Sequence, residues 1–99
     1  MSNPAKPTPF NFGKLRGTIY DFADVSDVLA KHSHTDATAH ITIVAKGKIL
    51  ITAGEWIYEA ESGKVIDLPA NQEHEFVALE PNSRIVNIVK GVGMRALSA

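Results

Sequence analysis

The sequence contains no cysteine. That absence removes at once a disulfide framework, a thiolate nucleophile, an iron–sulfur cluster and a cysteine-based zinc finger. Any metal must then be held by nitrogen and oxygen atoms, chiefly those of His, Asp and Glu. Neither sign of charge dominates: 10 basic residues stand against 11 acidic ones, a net charge of -1. The electrostatic footprint of a nucleic-acid or anionic-membrane partner is therefore missing, and a small-molecule ligand or a second copy of the chain is the expected partner. No apolar run approaches the roughly 18 residues of a membrane helix. The opening MSNPAKPTPFNF has neither a basic cluster nor an apolar stretch of the kind that directs export. The expectation is a cytoplasmic protein. Glycine-rich phosphate loops of the GxGxxG or GxxxxGK[ST] type are also absent. No Ser–His–Asp grouping marks a nucleophilic triad, and no carboxylate pair is placed for glycoside hydrolysis.

What is present is a 99-residue chain with 44% apolar and 21% charged residues, the size and balance of one soluble domain. Pro4, Pro7, Pro9 and Gly13 forbid a helix at the start, so residues 1–13 read as an extended arm and 14–99 as the folded domain. Turn signals then recur at short intervals, at 46–47, 53–54, 62–63, 69–71 and 81–83. Between them lie Thr18–Phe22, His40–Ala45, Lys48–Thr52, Glu55–Ala60, Lys64–Leu68, His74–Leu79 and Ile85–Lys90, rich in Ile, Val, Thr and aromatic residues. Many short strands with frequent turns predict an all-β sandwich or barrel. Residues 23–31 have room for one helical turn, with Asp24 or Ser26 as its cap. In His40–Ala45 both alternating faces are apolar apart from His40 and Thr42. The face of Ile41, Ile43 and Ala45 therefore needs a cover, supplied either by a partner subunit in a homodimer or by the proline-rich arm.

Four histidines occupy positions 32, 34, 40 and 74. On a strand, His32 and His34 point to one face with Cα atoms roughly 6.6 Å apart. That spacing lets both imidazoles converge on one ion, each nitrogen about 2.0–2.1 Å from it. His40 has the same parity, and His74 begins another strand after a Pro-Ala-Asn turn.

The stretch His32-Ser33-His34, His40, Gly47 resembles the first cupin motif, G-x5-H-x-H-x3-4-E-x6-G. The stretch from Gly63 through Pro69-Ala70-Asn71-Gln72-Glu73 to His74 resembles the second, G-x5-P-x-G-x2-H-x3-N. The resemblance spans residues 32–78 and implies a small, single-domain double-stranded β-helix with a metal inside the barrel mouth. His32, His34 and His74 fall on the family's histidine ligands. The motif's leading glycine falls on Ser26, its second-motif glycine on Asn71, and its final asparagine on Ala78. Its glutamate ligand falls on His40, seven residues before Gly47. His40 is then either a barrel-lining residue beside a three-histidine site or a fourth ligand, and the four-ligand set is adopted here. An all-imidazole site leaves the ion's charge uncompensated and makes it more electrophilic. Imidazole suits Fe, Zn, Ni and Cu, with Mn a further candidate, so the divalent ion itself is not named. The resemblance implies either a dioxygenase acting on a small diketone or thiol, or a non-redox isomerase, epimerase or lyase acting on a small sugar or organic acid. A non-catalytic ligand-binding module is the rival from outside enzymology.

Other residues flank this cluster. Tyr20, Phe22, Trp56, Tyr58 and Phe76 are core or pocket aromatics, and Tyr58 is the phenol singled out to reach the ion. Arg84, if it faces inward, serves as a carboxylate clamp. Glu73 and Glu75 flank His74 as rim charges or partners of a ligand imidazole.

Overall fold

The computed structural model describes residues 3–13, 15–32, 40–68 and 73–90, with the side chains of residues 12, 31, 32, 40, 68, 89 and 90 outside the description. Among these residues there is no helix. The strands are β1 (Lys6–Phe12), β2 (Leu15–Phe22), β3 (Val28–His32), β4 (His40–Lys46), β5 (Lys48–Ala53), β6 (Trp56–Glu61), β7 (Val65–Leu68), β8 (His74–Ala78) and β9 (Ser83–Lys90). They form a five-stranded sheet ordered β1-β2-β9-β4-β7 and a four-stranded sheet ordered β3-β8-β5-β6. Every strand pairing is antiparallel. The all-β expectation holds, and each of the seven apolar runs lies within a strand to within three residues at either end.

Two segments differ from the sequence reading. The proline-rich arm is a paired strand: β1 runs against β2 from Lys6–Asp21 to Phe12–Leu15. Pro7 and Pro9 are tolerated because β1 is an edge strand, where a missing N–H need not break a ladder. Being beside β2, the arm does not cover β4, which lies beyond β9. The helical turn at 23–31 is replaced by a tight turn and β3. The Asp27 N–H donates to the Asp24 carbonyl at 3.1 Å, and Asp27 Oδ2 accepts from the Asp24 N–H at 3.1 Å. Ser26 has φ 76°, which ends any right-handed helix there.

Alternation, strict in β5 and β8, places one side of the strands in the core. On β8 His74, Phe76 and Ala78 are buried, and on β5 Ile49, Ile51 and Ala53. Opposite them are Thr42 and Val44 of β4, Ile85 and Asn87 of β9, and Phe22 of β2. Each large apolar side chain among these contributes about 1.5–3 kcal/mol by leaving water. The chain passes repeatedly from one sheet to the other, and two of the contacts between them are local. The Asn3–Ala5 segment hydrogen-bonds to Val28 at 2.8 and 2.9 Å before entering β1. The Ser62–Gly63 turn leads from β6 to β7, and its Gly63 N–H donates to the Val44 carbonyl at 2.8 Å.

Candidate metal and ligand site

The position of the histidines follows from strand direction. β4 and β5 are joined by Gly47 alone and lie in opposite sheets, so the start of β4 and the end of β5 share one end of the sandwich. His40 is the first residue of β4, and Ala53 the last of β5. Ala53 is opposite His74 in the β5–β8 ladder, and His74 is opposite His32 in the β3–β8 ladder. A register shift between Leu29 and His32 brings those two histidines level. The backbones of His32, His40 and His74 thus collect at one end of the fold. His34 lies outside the described residues, within the segment joining His32 to His40.

Of the four, the His74 side chain is described. Its relative exposure is 1%, and its ring lies 5.5 Å from that of Phe76, tilted by 38°. Phe76 thereby fills one side of the imidazole and restrains its orientation. Among the described residues no group of three His, Asp or Glu stands together as metal ligands, a statement that reaches His74 but not its sequence partners.

One register step deeper, the four-stranded sheet presents Leu29, Phe76, Ile51 and Tyr58. Tyr58 is half-buried against the core, and its ring stacks on that of Trp56 at 5.4 Å. It belongs to the layer below the row formed by His32, His74, Ala53 and Trp56. The facing row of the five-stranded sheet is polar: Thr18 pairs with Asn87, and Asn87 with Thr42. Thr42 Oγ1 donates to Asn87 Oδ1 at 2.7 Å inside the core.

Arg84 does not face this interior. On β9 the buried side is Ser83, Ile85 and Asn87, so Arg84 points to the outer face. There its Nε donates to Asp21 Oδ1 at 2.7 Å. The hydrogen bond to Asp21, and then its charge, raise the Arg84 pKa above its ordinary value. A raised basic pKa means that the pair's contribution is fully present below the ordinary arginine value and is lost only as pH climbs through the raised one. Among the described residues a cation with inward parity is Arg16, exposed near the end of β2, sharing the parity of Thr18 and Tyr20 and level with His40 through Val89. The apolar run in the sequence begins only at Thr18, which leaves Arg16 outside it.

The motif glycines are explained by their backbone. Gly47 and Gly63 have φ of 74° and 94°, the left-handed region open to glycine. A Cβ at Gly47 would also collide with the Ser83 side chain. Ser26, at the first motif's leading-glycine position, adopts that same hand.

No family model matches the sequence, and no curated protein does. Solved structures do resemble the fold. KdgF from Halomonas sp. aligns over 86% of this chain and 78% of its own, with TM-score 0.75 and 21% identity. An RmlC-like cupin from Desulfovibrio desulfuricans aligns over 88% and 82%, with TM-score 0.77 and 16% identity. Oxalate decarboxylase of Bacillus subtilis, studied for its Mn(II) centres, aligns over 96% of this chain but 27% of its own, with TM-score 0.77 and 12% identity. With two antiparallel sheets and these structural likenesses, the chain has the cupin fold, a small double-stranded β-helix.

Proposed function

We propose that this chain is a metal-dependent cupin that holds one divalent ion through His32, His34, His74 and His40 and acts on a small organic ligand between its sheets. The observation that carries this reading is the register that levels His32 with His74 and sets His40 at the same end of the opposite sheet. Directly opposed residues of an antiparallel pair have Cβ atoms about 4.5–5.5 Å apart, close enough for two imidazoles to share an ion. The donor set is all nitrogen, which iron, zinc, nickel and copper accept. When bound, the ion supplies Lewis acidity or, as iron, oxygen chemistry. The chain's own part is to hold the imidazoles, with His74 buried and braced by Phe76, and to exclude water with the apolar layer beneath.

The first reading is a dioxygenase acting on a small diketone or thiol. The second is a lyase, isomerase or epimerase, which the likeness to a manganese-containing decarboxylase favours. The two separate in one experiment. The protein is loaded with Fe(II) or Mn(II), and oxygen consumption is followed with 2,4-pentanedione and with a small thiol. Iron-dependent oxygen consumption supports the dioxygenase. Its absence at full iron occupancy rejects that reading in favour of the second.

The reading includes a homodimer, supported by the outer face of the five-stranded sheet. Ile19, Val86, Ile43 and Val65 form one cross-strand row, and Phe10, Gly17, Ile88 and Ile41 the next. Val65 is 65% exposed and Ile41 37%. The bordering Asp21–Arg84 pair neutralises itself, and sheets packed face to face lie about 10 Å apart.

A further inference from the structure

Between β1 and β2 lies a groove of about 310 Å³, lined by Pro9, Phe10, Asn11, Arg16, Gly17 and Thr18. Four of these, Pro9, Asn11, Arg16 and Thr18, share the parity of Tyr20 and Phe22, which pack in the core. On the opposite side of the ribbon the Phe10 ring already lies over Gly17, where a Cβ would collide with it. The groove therefore opens on the inner side of the sheet, at the end that carries His40.

Next to it, Asn87 is 5% exposed and directly opposite Thr18. Its Oδ1 is engaged by Thr42, and its two Nδ2 donors have no acceptor among the described residues. Buried donors without a partner are rare, because each costs about 1–3 kcal/mol. Arg16 likewise has no carboxylate partner among the described residues, although Arg84 on the outer face has one. A cation at the rim, a hydroxyl behind it and an unsatisfied amide deeper in form a ladder of donors on adjacent inward positions of β2 and β9.

We infer that this ladder anchors the carboxylate of a small organic acid, with Arg16 binding the carboxylate and Thr18 and Asn87 donating to oxygens further along the ligand. Guanidinium meets carboxylate through two parallel N–H···O bonds, whereas an ammonium or a hydroxyl alone would fix neither orientation nor charge. The groove accommodates a ligand of a few carbons between β1 and β2, with Asn87 on the neighbouring strand beside Thr18. The inference rests on the proposed function in taking that row as the reactive end, but the anchor itself does not require the ion.

The test uses the full chain loaded with zinc, titrated with pyruvate and with its neutral amide, pyruvamide, while ¹⁵N resonances are followed. Pyruvate should shift Thr18 and the Asn87 side-chain amide saturably. Arg16→Gln should weaken pyruvate binding by about tenfold, the effect of a charged hydrogen bond at a partly open site, and leave pyruvamide unchanged. Thr18→Val, at a half-buried position that does not depend on refilling the core, should likewise weaken pyruvate binding, and unchanged binding in it counts against the anchor. Equal affinity for pyruvate and pyruvamide, or pyruvate binding untouched by Arg16→Gln, overturns the anchor, as does the lack of any saturable shift at millimolar pyruvate. Metal content measured on the same samples reports separately on the histidines. Arg16-dependent binding without metal uptake keeps the anchor and rejects the metal reading, whereas full metal with Arg16-independent binding does the reverse.

Discussion

Ser26 holds a left-handed backbone at φ 76° while its N–H donates to the Ala78 carbonyl at 2.9 Å. A side chain in that region costs about 1–2 kcal/mol relative to glycine, partly offset by glycine's greater freedom when unfolded. Ser26→Gly should therefore stabilise the chain by about 0.5–1 kcal/mol, read from urea unfolding with an unchanged slope. Destabilisation would mean that the serine side chain makes up for the strain. The same scale explains the exchange of arginines. Arg84 and Arg16 are both lone cations beside apolar runs, and only strand parity distinguishes them. The parity of β9 is legible from Ile85 and Asn87, but that of Arg16 requires β2 to begin at Leu15 rather than Thr18. Nothing in the sequence around Leu15-Arg16-Gly17 announces that extension, because it depends on β1 pairing alongside.

β1 and β3 are the elements that pattern alone does not deliver. β1 carries prolines, which argue against a strand until an edge is available to it. β3 is five residues with a register shift, and is too short and irregular to display a period of two. The other seven strands were legible from runs of Ile, Val, Thr and aromatic residues between turn signals, and β5 and β8 add strictly alternating burial. Gly17 ties β1 to the sheet. A Cβ there would stand 2.7 Å from the Asn87 carbonyl oxygen and collide with the Phe10 ring. Gly17→Ala should cost about 1–3 kcal/mol, since the ring can swing away but the backbone carbonyl of β9 cannot. A thermal melt checks this, and an unchanged midpoint would show that β2 and β9 are looser than the close approach implies.

At the scale of the whole molecule, two sheets enclose a core that is apolar at one end and polar toward the other, and the outer face of the larger sheet remains apolar. Part of this was visible in advance: the alternation in His40–Ala45 marks its outer face as apolar. What the sequence does not display is the row of Thr18, Asn87 and Thr42, because its members are far apart in the chain and meet only through the ladders of β2, β9 and β4. Ile43→Glu places a charge in the middle of the exposed face. Light scattering after size exclusion should show a dimer for the parent and a monomer of retained β-sheet circular dichroism for the variant. A dimer that survives the substitution removes this face as the interface.

The central claim is that the histidine end holds a metal, and elemental analysis of protein purified without chelator tests it most directly. The parent chain and His74→Ala are compared by inductively coupled plasma mass spectrometry, with circular dichroism confirming that both are folded. The account predicts close to one divalent ion per parent chain and loss of that ion from a still-folded His74→Ala. Full metal in the variant, or none in the parent even after reconstitution, would contradict it.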